Sequence, residues 1–230
     1  MILDTSVIIS LSTSGMIKYL EKLPKVKWTI GTWVEKEALD KALREDKWKW
    51  EALNTIWAFK KKLIKINKNQ KSKNLAYEFM NVANHLYFVR GEPIKIIHYG
   101  EAEVIALAKM LNTPYIGIDE KTTRLLIENP WNLKNLLESK LHVPIEVNAK
   151  NMDIINKEYS NFKLIRSADI MYYAFVKGTF DNWIKGFDEW VYGNPKDLLL
   201  EAILWKLKFS GCSITEEEIN NYLKSYPKNF

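Results

Sequence analysis

The sequence predicts an α/β fold in which short buried strands alternate with helices around a central, mostly parallel sheet. Residues 1–4 form a short apolar run that ends with Asp4, and residues 113–118 form a run of strand length that leads directly to Asp119. Residues 100–111 have strong helical spacing and lie just before the second of these strands. A helix that returns the chain to a neighbouring strand is typical of a parallel sheet.

The other elements follow from local patterns. Residues 7–22 have helical spacing, and residues 25–30 alternate like a short strand. Thr32 is predicted to cap a helix that begins at Trp33, with Glu35 as its capping-box partner. Further predicted elements are a helix to about residue 65, a polar turn at 67–74, helices at 75–89, 122–128 and 132–140, a strand at 143–147, and a helical segment from 151 to 230 with a capping box at Thr215–Glu218.

Composition excludes several classes of protein. A 47% hydrophobic content over 230 residues is enough for a core, and Cys212 is the only cysteine, which excludes internal disulfides and Cys-based zinc clusters. The chain contains no P-loop motif. With no signal-like opening and no apolar run long enough to span a bilayer, we expect a cytoplasmic protein without a membrane partner.

The net charge of +6 is concentrated in one stretch of the chain. Its lysines are the predicted nucleic-acid-binding residues: Lys60, Lys61, Lys62, Lys65, Lys68, Lys71 and Lys73. Trp48, Trp50, Trp57 and Phe59 come just before them, so this stretch could follow a phosphate backbone and stack bases. The alternative is a solvated helix face with a tryptophan-lined seam.

Acidic residues occur where strands end and helices begin: Asp4, Glu35, Glu37, Glu101, Glu103, Asp119 and Glu120. In a parallel sheet these positions gather at one edge. Facing carboxylates repel one another unless a divalent cation neutralises them, and Mg²⁺ or Mn²⁺ suits an all-oxygen site. Each acid taken singly is equally well explained as a helix cap.

Four motifs, in this order, resemble those of PIN-domain nucleases, in particular the branch of VapC-type toxins. They are the L-D-T-S of residues 3–6, the V-x-x-E of residues 34–37, the G-E-A-E-x-I-A-L-A of residues 100–108 and the I-D-E-K-x-x-R of residues 118–124. The resemblance implies a PIN-like (Rossmann-like) three-layer α/β/α domain over residues 1–150. Residues 40–97 would form a helical, Lys- and Trp-rich insertion, and residues 151–230 a helical extension.

The resemblance also implies a site. Asp4, Glu37 and Glu103 would be catalytic metal ligands, with Asp119 or Glu120 as the fourth acid. Ser6 would support Asp4 as its hydroxyl neighbour. The other supporting acids are Glu35, the alternative to Glu37, and Glu101, which lies about 200° around a helix from Glu103.

The implied activity is a ribonuclease that hydrolyses RNA phosphodiester bonds with bound Mg²⁺ or Mn²⁺. The alternative is a non-catalytic PIN-fold protein that binds RNA or forms an oligomeric scaffold. Implied partners are RNA, an antitoxin-like protein and a second copy of the chain. The insertion could guide RNA to the site or act as an oligomerisation arm through its tryptophans.

Overall fold

The computed structural model describes residues 1–69, 71–187, 191 and 193–226. The helices are α1 Thr5–Thr13, α2 Thr32–Glu35, α3 Ala42–Arg44, α4 Lys49–Lys60, α5 Lys71–Asn84, α6 Tyr99–Met110, α7 Lys121–Glu128, α8 Pro130–Leu141, α9 Ala149–Glu158, α10 Ser167–Val176, α11 Pro195–Phe209 and α12 Glu216–Ser225. The strands are β1 Ile2–Leu3, β2 Trp28–Ile30, β3 Ile64–Ile66, β4 Tyr87–Val89, β5 Glu92–Pro93, β6 Tyr115–Gly117, β7 Glu146–Val147 and β8 Lys163–Ile165. Ile17–Lys22 and Asp46–Trp48 are 3₁₀ helices, and Lys36–Lys41 is π-helical. Within these ranges, none of the helices combines the length and apolar character needed to cross a bilayer.

The central sheet is parallel throughout its described strands and has the order β3-β2-β1-β6-β8. The chain starts in the middle with β1, builds outward to β3, and then crosses to the other side of β1 to add β6 and β8. The direction of winding therefore reverses between β1 and β6. In open α/β sheets, ligands bind outside the carboxyl ends of the strands at such a switch point.

Helices cover both faces of this sheet, as predicted for a three-layer α/β/α fold. On one side α1 packs with α4 and α10, and on the other α6 contacts β1 and β6 and packs against α5. The strand residues between these layers, including Leu3, Ile30 and Ile116, are fully buried. Their burial supplies the hydrophobic free energy that holds the layers together.

The last strand of the central sheet is not the one that the sequence predicted. The predicted strand at 143–147 forms as β7, but it pairs antiparallel with β4 in a separate sheet of order β5-β4-β7. The strand that pairs with β6 at the outer side of the central sheet is β8. It lies in the segment predicted to be helical from residue 151 onwards. That prediction was wrong for residues 163–165, because a three-residue strand is too short to have a clear period.

The predicted helical insertion is also interrupted by strands. Residues 40–97 contain α3, α4 and α5, but they also contain β3, β4 and β5. β3 is the outer strand of the central sheet on its side, so this part of the insertion belongs to the main fold. The strand was not predicted because its sequence, Ile-Lys-Ile, lies among lysines that favour a helix or a loop.

Candidate acidic site at the carboxyl edge of the sheet

All of the predicted acids lie close to the carboxyl edge of the central sheet, around the switch point between β1 and β6. Asp4 follows β1, and Asp119 and Glu120 follow β6. The other acids belong to helical segments that begin at this edge: Glu35 in α2, Glu37 in the π-helical segment, and Glu101 and Glu103 in α6. The fold therefore brings the sequence-predicted acids to one region.

Asp4 is a buried helix cap at the centre of this edge. Its side chain is 4% exposed, and its Oδ2 accepts a hydrogen bond from Ser6 N at 2.9 Å, which caps α1. Ser6 Oγ donates to the same oxygen and accepts from Asp119 N at 3.0 Å. Ser6 thus joins the ends of β1 and β6. Burial, with a smaller contribution from the charge of Glu37, raises the pKa of Asp4.

Glu37 reaches the edge from the π-helical segment. Its Oε2 accepts a hydrogen bond from Thr5 Oγ1 at 2.8 Å. Gly100 packs directly against it, since a Cβ at Gly100 would lie 3.2 Å from Glu37 Oε2 and 3.0 Å from the Trp33 ring. Short π-helical segments are frequent at functional sites.

Glu101 is the acid that interacts with most of the others. Its Oε2 accepts from His98 N at 2.6 Å at the start of α6. Burial, together with the negative charges of Asp4, Glu120 and Glu37, raises the pKa of Glu101 to about 7. Glu101 is therefore within reach of the charges of three other acids, although it was predicted only as a supporting residue.

Glu103 instead caps a helix. It is 2% exposed, and its Oε1 accepts from Thr32 Oγ1 while its Oε2 accepts from Trp33 N, both at 2.9 Å. The predicted capping of this helix by Thr32 with Glu35 was wrong, because the N-cap is Gly31 and the capping carboxylate comes from α6. Gly31 has a φ of −83°, which any residue adopts, but a Cβ there would lie 1.9 Å from Glu103 Oε2.

Asp119 is likewise occupied by a helix start. It is fully buried, and its Oδ1 and Oδ2 accept from Ser167 N and Ser167 Oγ, each at 2.7 Å. It thereby holds the first turn of α10. Glu120 is half-buried and caps α7, because its Oε2 accepts from Thr123 N at 2.6 Å.

The hydrogen bonds separate the acids into two groups. In Glu103 and in Asp119, both carboxylate oxygens accept a hydrogen bond. In the described part of the chain Glu35 belongs to neither group, since its carboxylate accepts no hydrogen bond there. The hydrogen bonds of the remaining four acids use one oxygen each: Asp4, Glu37, Glu101 and Glu120. We call this second group the acidic cluster.

The acidic cluster has no basic partner among the described residues, since none of the ion pairs there includes one of its members. Its side chains are not gathered around one point. Within residues 1–69, 71–187, 191 and 193–226, no three His, Cys, Asp or Glu side chains are grouped so that they could hold a metal ion. Each acid of the cluster is turned towards a hydrogen-bond donor of its own.

The burial of Glu101, together with repulsion from the other acids of the cluster, should make the metal-free protein less stable at neutral than at mildly acidic pH. Because the pKa of Glu101 rises from 4.5 to about 7 on folding, the folded state binds a proton between these values that the unfolded state has lost. The free energy of unfolding therefore falls as pH increases through this range. Urea unfolding of wild type and Glu101→Gln in EDTA at several pH values measures this. An unchanged pH dependence in Glu101→Gln would contradict it.

The predicted lysines are divided between the two edges of the sheet. All seven are exposed. Lys60, Lys61 and Lys62 precede β3 at the amino edge, where Lys62 lines a pocket together with Lys27. Lys65 lies within β3 and lines the same pocket, and the other three of the seven follow the carboxyl end of the strand: Lys68, Lys71 and Lys73. Their role in binding nucleic acid remains a prediction.

Other basic and aromatic side chains adjoin the acidic cluster, and of these only Trp48 was predicted from the sequence to stack bases. A pocket of about 350 Å³ beside Glu37 is lined by Trp33, Lys36, Asp40, Lys41, Arg44 and Glu45. A second, of about 280 Å³, separates Glu37 and Thr5 from Trp48 and α4. Lys36, Lys41 and Arg44 were missed because a single basic residue every few positions is ordinary for a solvated helix.

The fold and this edge define a class of protein: a doubly wound parallel α/β domain whose switch point carries a cluster of acids with no ion-pair partner among the described residues. Comparison of the chain with protein-family models, with curated proteins and with solved structures finds no match.

Proposed function

We propose that this protein is a metal-dependent ribonuclease of the PIN type that hydrolyses phosphodiester bonds of RNA. The observation that carries the proposal is the acidic cluster, whose members lie at the switch point without a basic partner in the described residues. The raised pKa values of Asp4 and Glu101 indicate that this negative charge is costly as it stands. A divalent cation would relieve that cost.

The donor set fits Mg²⁺ or Mn²⁺ in its chemistry, because it offers only carboxylate oxygens and nearby hydroxyls. Asp4, Glu37, Glu101 and Glu120 would hold the ion directly or through water. When bound, such an ion supplies a water-derived nucleophile and stabilises the leaving oxygen of the phosphodiester. Glu103 and Asp119 would instead keep the starts of α2 and α10 in position.

Several basic side chains around Glu37 favour a polyanionic substrate. Lys36, Lys41 and Arg44 line the adjacent pocket, although Asp40 and Glu45 line it as well. Phosphate groups of RNA would pair with such exposed cations, and this attraction would weaken as salt is added. An antitoxin-like protein partner is proposed from the family resemblance alone.

The proposal predicts Mn²⁺-dependent cleavage of a labelled single-stranded RNA by the purified wild-type protein. Activity should be absent in EDTA and should return when Mn²⁺ is added in excess. Titration with Mn²⁺ by calorimetry measures binding separately. Absence of both cleavage and binding at millimolar Mn²⁺ would refute the proposal.

A non-catalytic RNA-binding or scaffold protein is the second candidate. It is favoured by the hydrogen bonds that turn each acid of the cluster towards its own donor, and by the absence of a grouped ligand set among the described residues. In that case the cluster would consist of helix caps only. RNA binding or self-association without any Mn²⁺ binding would support this candidate.

A further inference from the structure

A row of three aromatic rings leads away from the acidic cluster. Trp33 and Tyr99 lie with their ring centroids 5.2 Å apart at 67°, and Tyr99 and Tyr77 lie 5.2 Å apart at 50°. The three residues come from α2, α6 and α5, so the row exists only in the folded protein. We call it the aromatic row.

The aromatic row begins at the acidic cluster itself. Gly100 separates the Trp33 ring from Glu37, since a Cβ at Gly100 would lie 3.0 Å from the ring and 3.2 Å from Glu37 Oε2. A molecule lying on Trp33 would therefore pass within reach of the acids. The Trp33 end of the row is therefore the end next to Glu37.

The two ends of the aromatic row are open to solvent, whereas its centre is not. Trp33 is 37% exposed and Tyr77 is 56% exposed, while Tyr99 is half-buried between them. Two exposed aromatic side chains held at a fixed separation offer a surface on which flat rings can stack. Tyr99 fixes the distance between them.

Basic side chains flank both ends of the aromatic row. Lys36 Nζ lies over one face of the Trp33 ring, 5.4 Å from its centre, and the pocket beside it also contains Lys41 and Arg44. At the other end, Lys73 is exposed one helical turn from Tyr77 on α5. Exposed rings bordered by cations are complementary to bases and phosphates, respectively.

We propose that the aromatic row is the binding track for single-stranded RNA, with bases stacked on Trp33 and Tyr77 and phosphates paired with the flanking lysines and Arg44. The proposal rests on the proposed ribonuclease function and specifies its substrate class. Paired RNA would bind poorly on this track, because its base faces are already stacked within the helix and are not available to the rings.

Binding of a short fluorescein-labelled oligouridylate in EDTA tests the proposal without cleavage. Trp33→Ala and Tyr77→Ala should each raise its Kd about 5- to 150-fold, the loss expected for one stacked base. Trp33→Phe and Tyr77→Phe should restore most of the affinity. Tyr173→Ala is the matched control, because Tyr173 is 49% exposed and lines a pocket with Met1 and Tyr115 at the opposite edge of the sheet.

The proposal is overturned if variants that remain folded in thermal unfolding bind the oligonucleotide as wild type does, or if Tyr173→Ala weakens binding equally. It is also overturned if the row variants change only self-association in sedimentation, which would make the row a protein interface. Loss of binding in the row variants of a protein that does not cleave RNA with Mn²⁺ would support the track and reject the nuclease. Cleavage by wild type with unchanged binding in the row variants would support the nuclease and reject the track.

Discussion

Asp4→Asn should lower Mn²⁺-dependent RNA cleavage by about a hundredfold or more while leaving the protein folded. A carboxylate that holds the ion supports the charge developing in the transition state, and each factor of ten corresponds to about 1.4 kcal/mol. Asparagine is as good a helix cap as aspartate, so it can still accept the hydrogen bond from Ser6 N that begins α1. The substitution therefore removes charge and little else.

Glu101→Gln should have a comparable effect on cleavage, because Glu101 interacts with the other members of the acidic cluster. Asp153→Asn is the matched control, since Asp153 lies on α9 in an exposed pair with Lys157. Initial rates of RNA cleavage with saturating Mn²⁺ measure all three variants. Wild-type rates in both Asp4→Asn and Glu101→Gln would show that the site has been assigned to the wrong residues.

Glu103→Ala should destabilise the protein by about 3 kcal/mol or more, because hydrogen bonds to charged groups contribute about 1.5–3 kcal/mol each and this carboxylate accepts two. The loss would leave Thr32 Oγ1 and Trp33 N without their partner at the start of α2. The free energy of unfolding in urea measures the effect, and Glu78→Ala, an exposed position on α5, is the control.

Gly31→Ala tests the capping of α2 by Glu103 through a change in the residue that Glu103 packs against. The new Cβ would lie 1.9 Å from Glu103 Oε2, so the carboxylate must move and its hydrogen bonds must break. Stability should fall in Gly31→Ala as well, and the double variant with Glu103→Ala should lose less than the sum of the two single variants. Additive losses, or a stable Glu103→Ala, would contradict the capping role.

Local signals in the sequence predicted the features that depend on neighbouring residues. Asp4 was placed at the end of β1 because an apolar pair precedes it, and the carboxyl edge followed from the alternation of strands and helices. The capping box of the last helix is confirmed, since Thr215 N donates to Glu218 Oε2 and Glu218 N to Thr215 Oγ1. Such contacts span three residues and need no knowledge of the fold.

The remaining features depend on residues that are distant in the sequence. Glu103 caps a helix that begins 71 positions earlier, and Asp119 holds the start of α10, which lies 48 positions later. An acid in a first helical turn gives no sign of whether its carboxylate serves its own helix, another helix or a metal. The change from α-helix to π-helix at Lys36, which positions Glu37, likewise has no signature in the residues that form it.

The position of β3 gives its lysines a further consequence that does not depend on RNA. This strand forms one margin of the central sheet, and the unpaired backbone groups of such a margin can template the addition of a strand from another molecule. β3 is only three residues long, Lys65 at its centre is exposed, and charged residues precede and follow it. These are the features by which natural proteins resist aggregation at sheet margins. The lysine-rich stretch therefore protects the solubility of the chain whether or not it contacts a nucleic acid.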